Sequence, residues 1–229
     1  TKRVPYGNKD FKQIRSFAKE ICNWFEDKNL DALLIGCNTT NACALDILEN
    51  NLEIPCFDLI NSVSEIVEKK HIGILATSTT TRSSYYKKII ELKKHNVKVF
   101  QKDCPEFVSE IEKTKLNLKK INYLADLYLE PLLKENIEEL ILGCSHYPLI
   151  YDVLRKKIHS NIRIIDPSVA LIKKFNHSFL ILKNDCRDSI SYENVKFFVT
   201  AKSEEFSLKV KYWLEINKEI RLVNLRSNA

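Results

Sequence analysis

The chain predicts an α/β protein of two similar lobes, each a mainly parallel sheet flanked by helices, with its site in the cleft between them. Three observations carry that prediction. Short Leu/Ile/Val-rich runs alternate with longer stretches of helical periodicity along the whole sequence. The apolar runs are mostly continuous rather than alternating, as strands covered on both faces are. One string also occurs twice, as Leu33-Leu34-Ile35-Gly36-Cys37-Asn38-Thr39 and as Leu140-Ile141-Leu142-Gly143-Cys144-Ser145-His146. Each copy stops at Gly-Cys and passes at once into polar residues able to cap a helix. Such a sequence delivers a thiol to a strand-to-helix corner, where parallel sheets place their ligands.

The elements run in order along the chain. Apolar residues at 11, 14, 17, 18, 21, 24 and 25 recur at helical spacing and predict a helix over 11–25, capped by Asn8 or Asp10. A buried strand over 31–37 comes next on length and Leu/Ile content, then a helix over 39–50 that opens on Thr and Asn. Strand 55–60, helix 62–70 and strand 71–77 continue the alternation, and a helix is expected over 80–95. Strand 97–102 precedes helices over 106–113 and 118–135. The second Cys strand covers 140–144, and Pro148 opens the next helix in the first turn, where its missing N–H has no partner to lose. Strand 162–165, helix 169–175, strand 195–200, helix 203–214 and strand 220–225 complete the chain. The duplication suggests two similar halves, and the lobes are expected to be 1–62 together with 168–229, and 63–167.

Composition removes several function classes. An apolar fraction of 45% and a charged fraction of 29% over 229 residues fit one large globular domain or two smaller ones. No run approaches the ~20 apolar residues of a membrane span, and residues 1–7 lack the apolar stretch of a signal peptide. A cytoplasmic protein without a membrane partner is expected. The net charge of +6 comes from lysines interleaved with acids on helix faces, so no nucleic-acid partner is expected either. Seven cysteines without a CxxC pair specify neither a disulfide framework nor a zinc ribbon. Cys22, Cys43, Cys56 and Cys104 are read as packing residues.

Cys37 and Cys144 are read differently. A thiol at the amino end of a helix feels about half a positive charge and free N–H donors, an effect of about 0.3–2 kcal/mol that favours the thiolate. Two such thiols suit removal of a proton from one face of a substrate and its return to the other. Other readings remain open. Gly-Cys can simply end a tight strand. Cys37, Cys144 and His146 together could hold a metal, though the usual ligand spacing is missing. Cys144 and His146 could form a hydrolase dyad, although a single intervening residue strains the return of the imidazole to sulfur. Nothing suggests a pyridoxal lysine, and four glycines cannot supply GxGxxG, so neither cofactor nor metal is expected.

Ordered blocks then point to a family. They are Val4-Pro5-Tyr6-Gly7, Cys37-Asn38-Thr39, Ile72-Gly73-Ile74-Leu75-Ala76-Thr77 with Thr80 and Ser83, Cys104-Pro105-Glu106-Phe107-Val108, Leu142-Gly143-Cys144-Ser145-His146-Tyr147-Pro148-Leu149, and Ile164-Ile165-Asp166-Pro167. Together they resemble glutamate racemase, of the aspartate/glutamate racemase superfamily, over nearly the whole chain. The resemblance implies cofactor-independent interconversion of L- and D-glutamate, supplying D-glutamate for peptidoglycan, with Cys37 and Cys144 as the two catalytic cysteines. Tyr6, Gly7, Asn38, Thr39, Thr80, Ser145 and His146 would contact the amino acid, and Glu112 would orient chemistry near the second thiol. A homodimer would fit the same resemblance. Aspartate or another amino acid as substrate, and a catalytically silent ligand-binding homologue, are the alternatives. Ser145 stands where the family usually has Thr, which keeps the hydroxyl. The strand and Asp-Ser-Gly turn that precede Pro-Tyr-Gly in the family are absent, and the chain contains no Met. A processed product or a fragment is therefore expected, with weak or no activity from these 229 residues alone.

Overall fold

Helix α1 (Phe11–Glu26) is held at its start by a capping box: Asp10 Oδ1 accepts from the Gln13 N–H (2.8 Å), and Gln13 Oε1 accepts from the Asp10 N–H (3.3 Å). Ile14, Ala18 and Cys22, one helical turn apart, form its buried stripe. That stripe packs against α2 (Asn38–Asn51), which comes after strand β1 (Leu33–Ile35). Strand β2 (Cys56–Asp58) pairs with β1 in parallel, with Leu33 opposite Cys56 and Ile35 opposite Asp58, and leads into α3 (Leu59–Ile66). In this computed structural model, residues 1–113, 115–179 and 192–225 are described.

The largest sheet is built from β3 (His71–Ala76), β4 (Lys98–Asp103), β5 (Glu139–Gly143) and β6 (Arg163–Ile165), all parallel, in the order β4-β3-β5-β6. Both faces are covered, which is why its sequence reads as continuous apolar runs. Leu75, Leu140 and Leu142 face the core beneath α7 (Leu118–Lys134), while Ile72, Ile74 and Ile141 face α3 and α5 (Tyr85–Lys93). All six are fully buried, each stabilising the fold by about 1.5–3 kcal/mol. Ala76 lies opposite both Asp103 and Gly143, so three strands end in register and release Thr77, Cys104 and Cys144 at one edge.

Two departures from the sequence expectation have local causes. The helix expected over 80–95 is two helices, α4 (Ser78–Ser83) and α5, broken at Ser84, which adopts a left-handed conformation (φ 54°). Ser83 Oγ donates to the Thr80 carbonyl (2.6 Å) and accepts from the Tyr85 N–H (3.1 Å), so a side chain competes with the backbone ladder there. After β5, Pro148 opens a 3-10 turn (Tyr147–Ile150) instead of an α-helix. The Tyr147 N–H reaches back to the Cys144 carbonyl (3.0 Å), and Tyr147 itself is fully buried, its hydroxyl donating to the Cys104 carbonyl (3.3 Å).

Short elements complete the chain. They are α6 (Phe107–Ile111), α8 (Tyr151–Arg155), α9 (Pro167–Phe179), the parallel pair β7 (Phe197–Val199) and β8 (Ile220–Leu222), and α10 (Ser203–Leu214). Thr1 anchors the entrance to α10: its hydroxyl donates to the Ala201 carbonyl (2.5 Å) and accepts from the Thr200 and Ala201 N–H groups (3.1 and 2.8 Å). Among the described residues no helix is long and apolar enough to cross a membrane.

Candidate active site

Both Gly-Cys corners open on one cavity of about 790 Å³. Cys37 is the N-cap residue of α2, its carbonyl accepting from the Asn41 N–H (2.9 Å). Cys144 leaves β5 into the tight turn before Tyr147 and is only 6% exposed. Burial pushes its thiol up to about 12; the His146 backbone N–H donating to the sulfur opposes that shift, and the charge of Cys37 adds to it. The sequence expectation of a thiol lowered by a helix terminus is therefore reversed at Cys144. The chain continues from it into a four-residue 3-10 turn without the aligned dipoles of an α-helix, and desolvation dominates. At rest, Cys144 is a neutral thiol that can give a proton.

A carboxylate and an imidazole stand behind that thiol. His146 Nδ1 is 3.8 Å from Cys144 Sγ, and His146 Nε2 is 2.6 Å from Glu112 Oε1. The single residue between Cys144 and His146 thus permits the approach that the sequence reading treats as strained, because both residues sit in one tight turn. Glu112 Oε2 accepts from Lys209 of α10. The His146 bond, against opposing burial and with help from Lys209, lowers Glu112 from its usual 4.5 to about 2. An ionised carboxylate only accepts, so Nε2 donates to Glu112, and in the neutral imidazole Nδ1 then presents a lone pair towards the sulfur.

The first corner carries hydroxyls and an amide. Thr39 Oγ1 lies 3.1 Å from Thr77 Oγ1 and 3.2 Å from Thr80 Oγ1, and the last two are 2.9 Å apart. Tyr86, fully buried, donates to Asn38 Oδ1 (2.5 Å), which turns the Asn38 amide N–H₂ into the donor left for the cavity. Gly7 fits where no side chain can: a Cβ there would stand 2.5 Å from Thr77 Cβ, and the Gly7 carbonyl accepts from the Thr79 N–H (2.9 Å). Tyr6 packs on Phe17 (centroids 5.6 Å apart) with its hydroxyl held above the usual tyrosine range by burial and by nearby Cys37.

With this geometry in place, the Asp/Glu/Hydantoin racemase family profile matches residues 2–175. The chain belongs to that family. Membership makes it an isomerase, an amino-acid racemase. It is 42% identical to the glutamate racemase of Prochlorococcus marinus (strain NATL1A) over 229 residues, all of this chain and 86% of that protein. Among solved structures, glutamate racemase isoform RacE1 from Bacillus anthracis superposes with a TM-score of 0.88 at 27% identity, covering 100% of this chain and 86% of that one. Glutamate racemase from Francisella tularensis in complex with D-glutamate gives 0.86 at 30% identity, covering 99% and 86%.

Of the residues the sequence singles out, Cys37, Cys144, Tyr6, Gly7, Asn38, Thr39, Ser145 and His146 all line this racemase cavity. Thr80 does not; it is fully buried and backs Thr39 and Thr77 from behind. Glu112, expected to orient the second thiol, lines the cavity and reaches that thiol through His146. Thr77, just beyond the carboxyl end of β3, lines the cavity as well, as expected for a residue at that strand position. Lys209 is missed altogether, because nothing in its local sequence separates it from other helix lysines. Cys22, Cys43 and Cys104 are buried packing residues, and Cys56 is half-buried in β2. Cys186 lies outside the described residues. Among the described residues no group of His, Cys, Asp and Glu is arranged to hold a metal ion.

Glu112 also links the site to stability. Its folded-state pKa lies below the unfolded value, so its contribution is complete above about 4.5 and is lost as pH falls towards about 2. Urea denaturation of Glu112→Gln should therefore show a shallower loss of stability than the unsubstituted protein across that window. Equal slopes would mean that the carboxylate is not held in the ionised state by its partners.

Proposed function

We propose that the protein interconverts L- and D-glutamate by a two-thiol mechanism that needs no cofactor. The observation that carries this reading is the convergence of Cys37 and Cys144 on one cavity, close enough for the charge of one to act on the other. One thiolate removes the α-proton from one face while the opposite thiol protonates the other, and the reverse reaction exchanges the roles. When Cys144 is the base, its proton passes towards His146 Nδ1, and Glu112 stabilises the imidazolium that forms. The α-proton of an amino acid is far less acidic than any thiol, so the developing carbanion needs fixed donors. The Asn38 amide, the Thr39 and Thr77 hydroxyls and Ser145 supply them.

The two lobes of this reading are 1–62 with 168–229, and 63–167. It is supported by the confinement of the four-stranded sheet to the second segment and of the two smaller sheets to the first. The similarity to glutamate racemases supports glutamate as substrate. In the cytoplasm its D-enantiomer would feed peptidoglycan synthesis. Incubation with L-glutamate and, separately, with L-aspartate tests the assignment by loss of optical rotation. Decay with glutamate at a rate well above that with aspartate is expected. Faster decay with aspartate would transfer the reading to that amino acid, and no decay with either would refute it.

A further inference from the structure

Lys209 lies on α10, 97 residues along the chain from Glu112 and far in sequence from either Gly-Cys corner, yet its ammonium donates to Glu112 Oε2 inside the cavity wall. Its second partner is Glu205 Oε1 at 3.4 Å, one turn earlier on the same helix. Glu112 is thus held at both oxygens, by His146 at one and by Lys209 at the other. The Glu112 side chain is 35% exposed, so with one partner removed water would compete for it and the carboxylate would rotate. A single hydrogen bond fixes the distance between carboxylate and imidazole, but two anchors also fix the carboxylate plane, and with it the direction in which His146 Nδ1 faces the sulfur.

We infer that Lys209 is a positioning residue for the Cys144 half of the reaction, locking Glu112 so that His146 serves that thiol and not Cys37. This rests on the two-thiol racemase reading. It also gives α10 a part in catalysis: its entrance is tied to Thr1 through Thr200 and Ala201, and its middle to Glu112. Lys209 pairs with Glu112 and Glu205, and its bond to Glu112 leads through His146 to Cys144.

The consequence is asymmetric and measurable. The equilibrium constant between enantiomers is 1 by symmetry, so Lys209→Ala must lower kcat/KM equally in both directions, by about tenfold if positioning is a part of a general acid–base contribution of about 10²–10⁴. The primary isotope effects with the two α-deuterated enantiomers should nevertheless diverge. Slowing the Cys144 step makes abstraction more rate-limiting for the enantiomer that Cys144 deprotonates, so its effect rises. Abstraction by Cys37 becomes less rate-limiting for the other, so its effect falls. Lys209→Arg should restore both rate and isotope effects. Isotope effects in Lys209→Ala identical to those of the unsubstituted protein, at any rate, would overturn the assignment, because a loss of folded enzyme leaves them unchanged. Failure of Lys209→Arg to recover would overturn it as well. An unsubstituted protein that exchanges no α-hydrogen of either enantiomer with solvent would instead remove the racemase reading, and this inference with it.

Discussion

On the proposed two-thiol mechanism, Cys37→Ala and Cys144→Ala should each lose racemisation by about 10³-fold or more, since each removes the proton carrier assigned to one face of the α-carbon and such groups supply about 10²–10⁴. Cys104→Ala is the informative control. Cys104 also stands just beyond a strand of the main sheet, β4, and is fully buried, with its N–H donating to the Ala76 carbonyl (2.8 Å). Burial raises its thiol well above the usual value, yet it is no part of the cavity wall. Its loss should therefore cost packing and spare kcat. Rate measurements on the three variants, with thermal unfolding to correct for folded fraction, separate a reactive thiol from a merely buried one. Activity in either Cys37→Ala or Cys144→Ala within tenfold of the unsubstituted protein would break the proposed division of labour.

Gly143→Ala should destabilise the fold by about 1–3 kcal/mol and lower kcat, while Gly36→Ala should change stability by less than about 0.5 kcal/mol. The two glycines occupy matching places in the duplicated string but meet different surroundings. A Cβ at position 143 would stand 2.8 Å from the Leu75 carbonyl oxygen, 3.0 Å from Ile74 Cγ2 and 3.2 Å from Ala76 Cβ. The nearest of these is backbone in the middle of a sheet and cannot swing away, so β5 must move and carry Cys144 with it. At position 36 nothing lies within 4 Å of such a Cβ. Neither glycine has a positive φ, so the requirement at Gly143 is close approach and not conformational freedom. Urea denaturation of both variants checks the contrast, and similar losses from the two substitutions would contradict it.

That contrast also marks what the sequence could show. The repeated Gly-Cys string makes the two corners legible, because strand period, strand length and a cap-competent successor are all local properties. The blocks around Pro5-Tyr6-Gly7 and Asn38-Thr39 lead to further parts of the cavity wall through the resemblance to glutamate racemase, not through local pattern. What local pattern does not encode is depth. Whether a helix terminus or desolvation governs Cys144 depends on how completely Tyr147 and its neighbours bury the turn, and desolvation prevails. Long-range pairs are equally silent. Glu112, His146 and Lys209 lie in three separate segments, and only their folded arrangement joins them into one chain of contacts leading to sulfur. The break at Ser84 shows a third limit, since serines that compete for backbone partners end a helix whose apolar spacing would otherwise continue.

The placement of two proton carriers on opposite faces is tested most directly by the isotope pattern of early turnover in heavy water. Starting from protiated L-glutamate and stopping at a few per cent conversion, the D-glutamate formed should carry deuterium at Cα while the remaining L-glutamate keeps its hydrogen. The mirror-image result should hold from the D-enantiomer. Product that retains the substrate hydrogen, or deuterium appearing equally in substrate and product from the start, would mean that one group serves both faces, and would contradict the account.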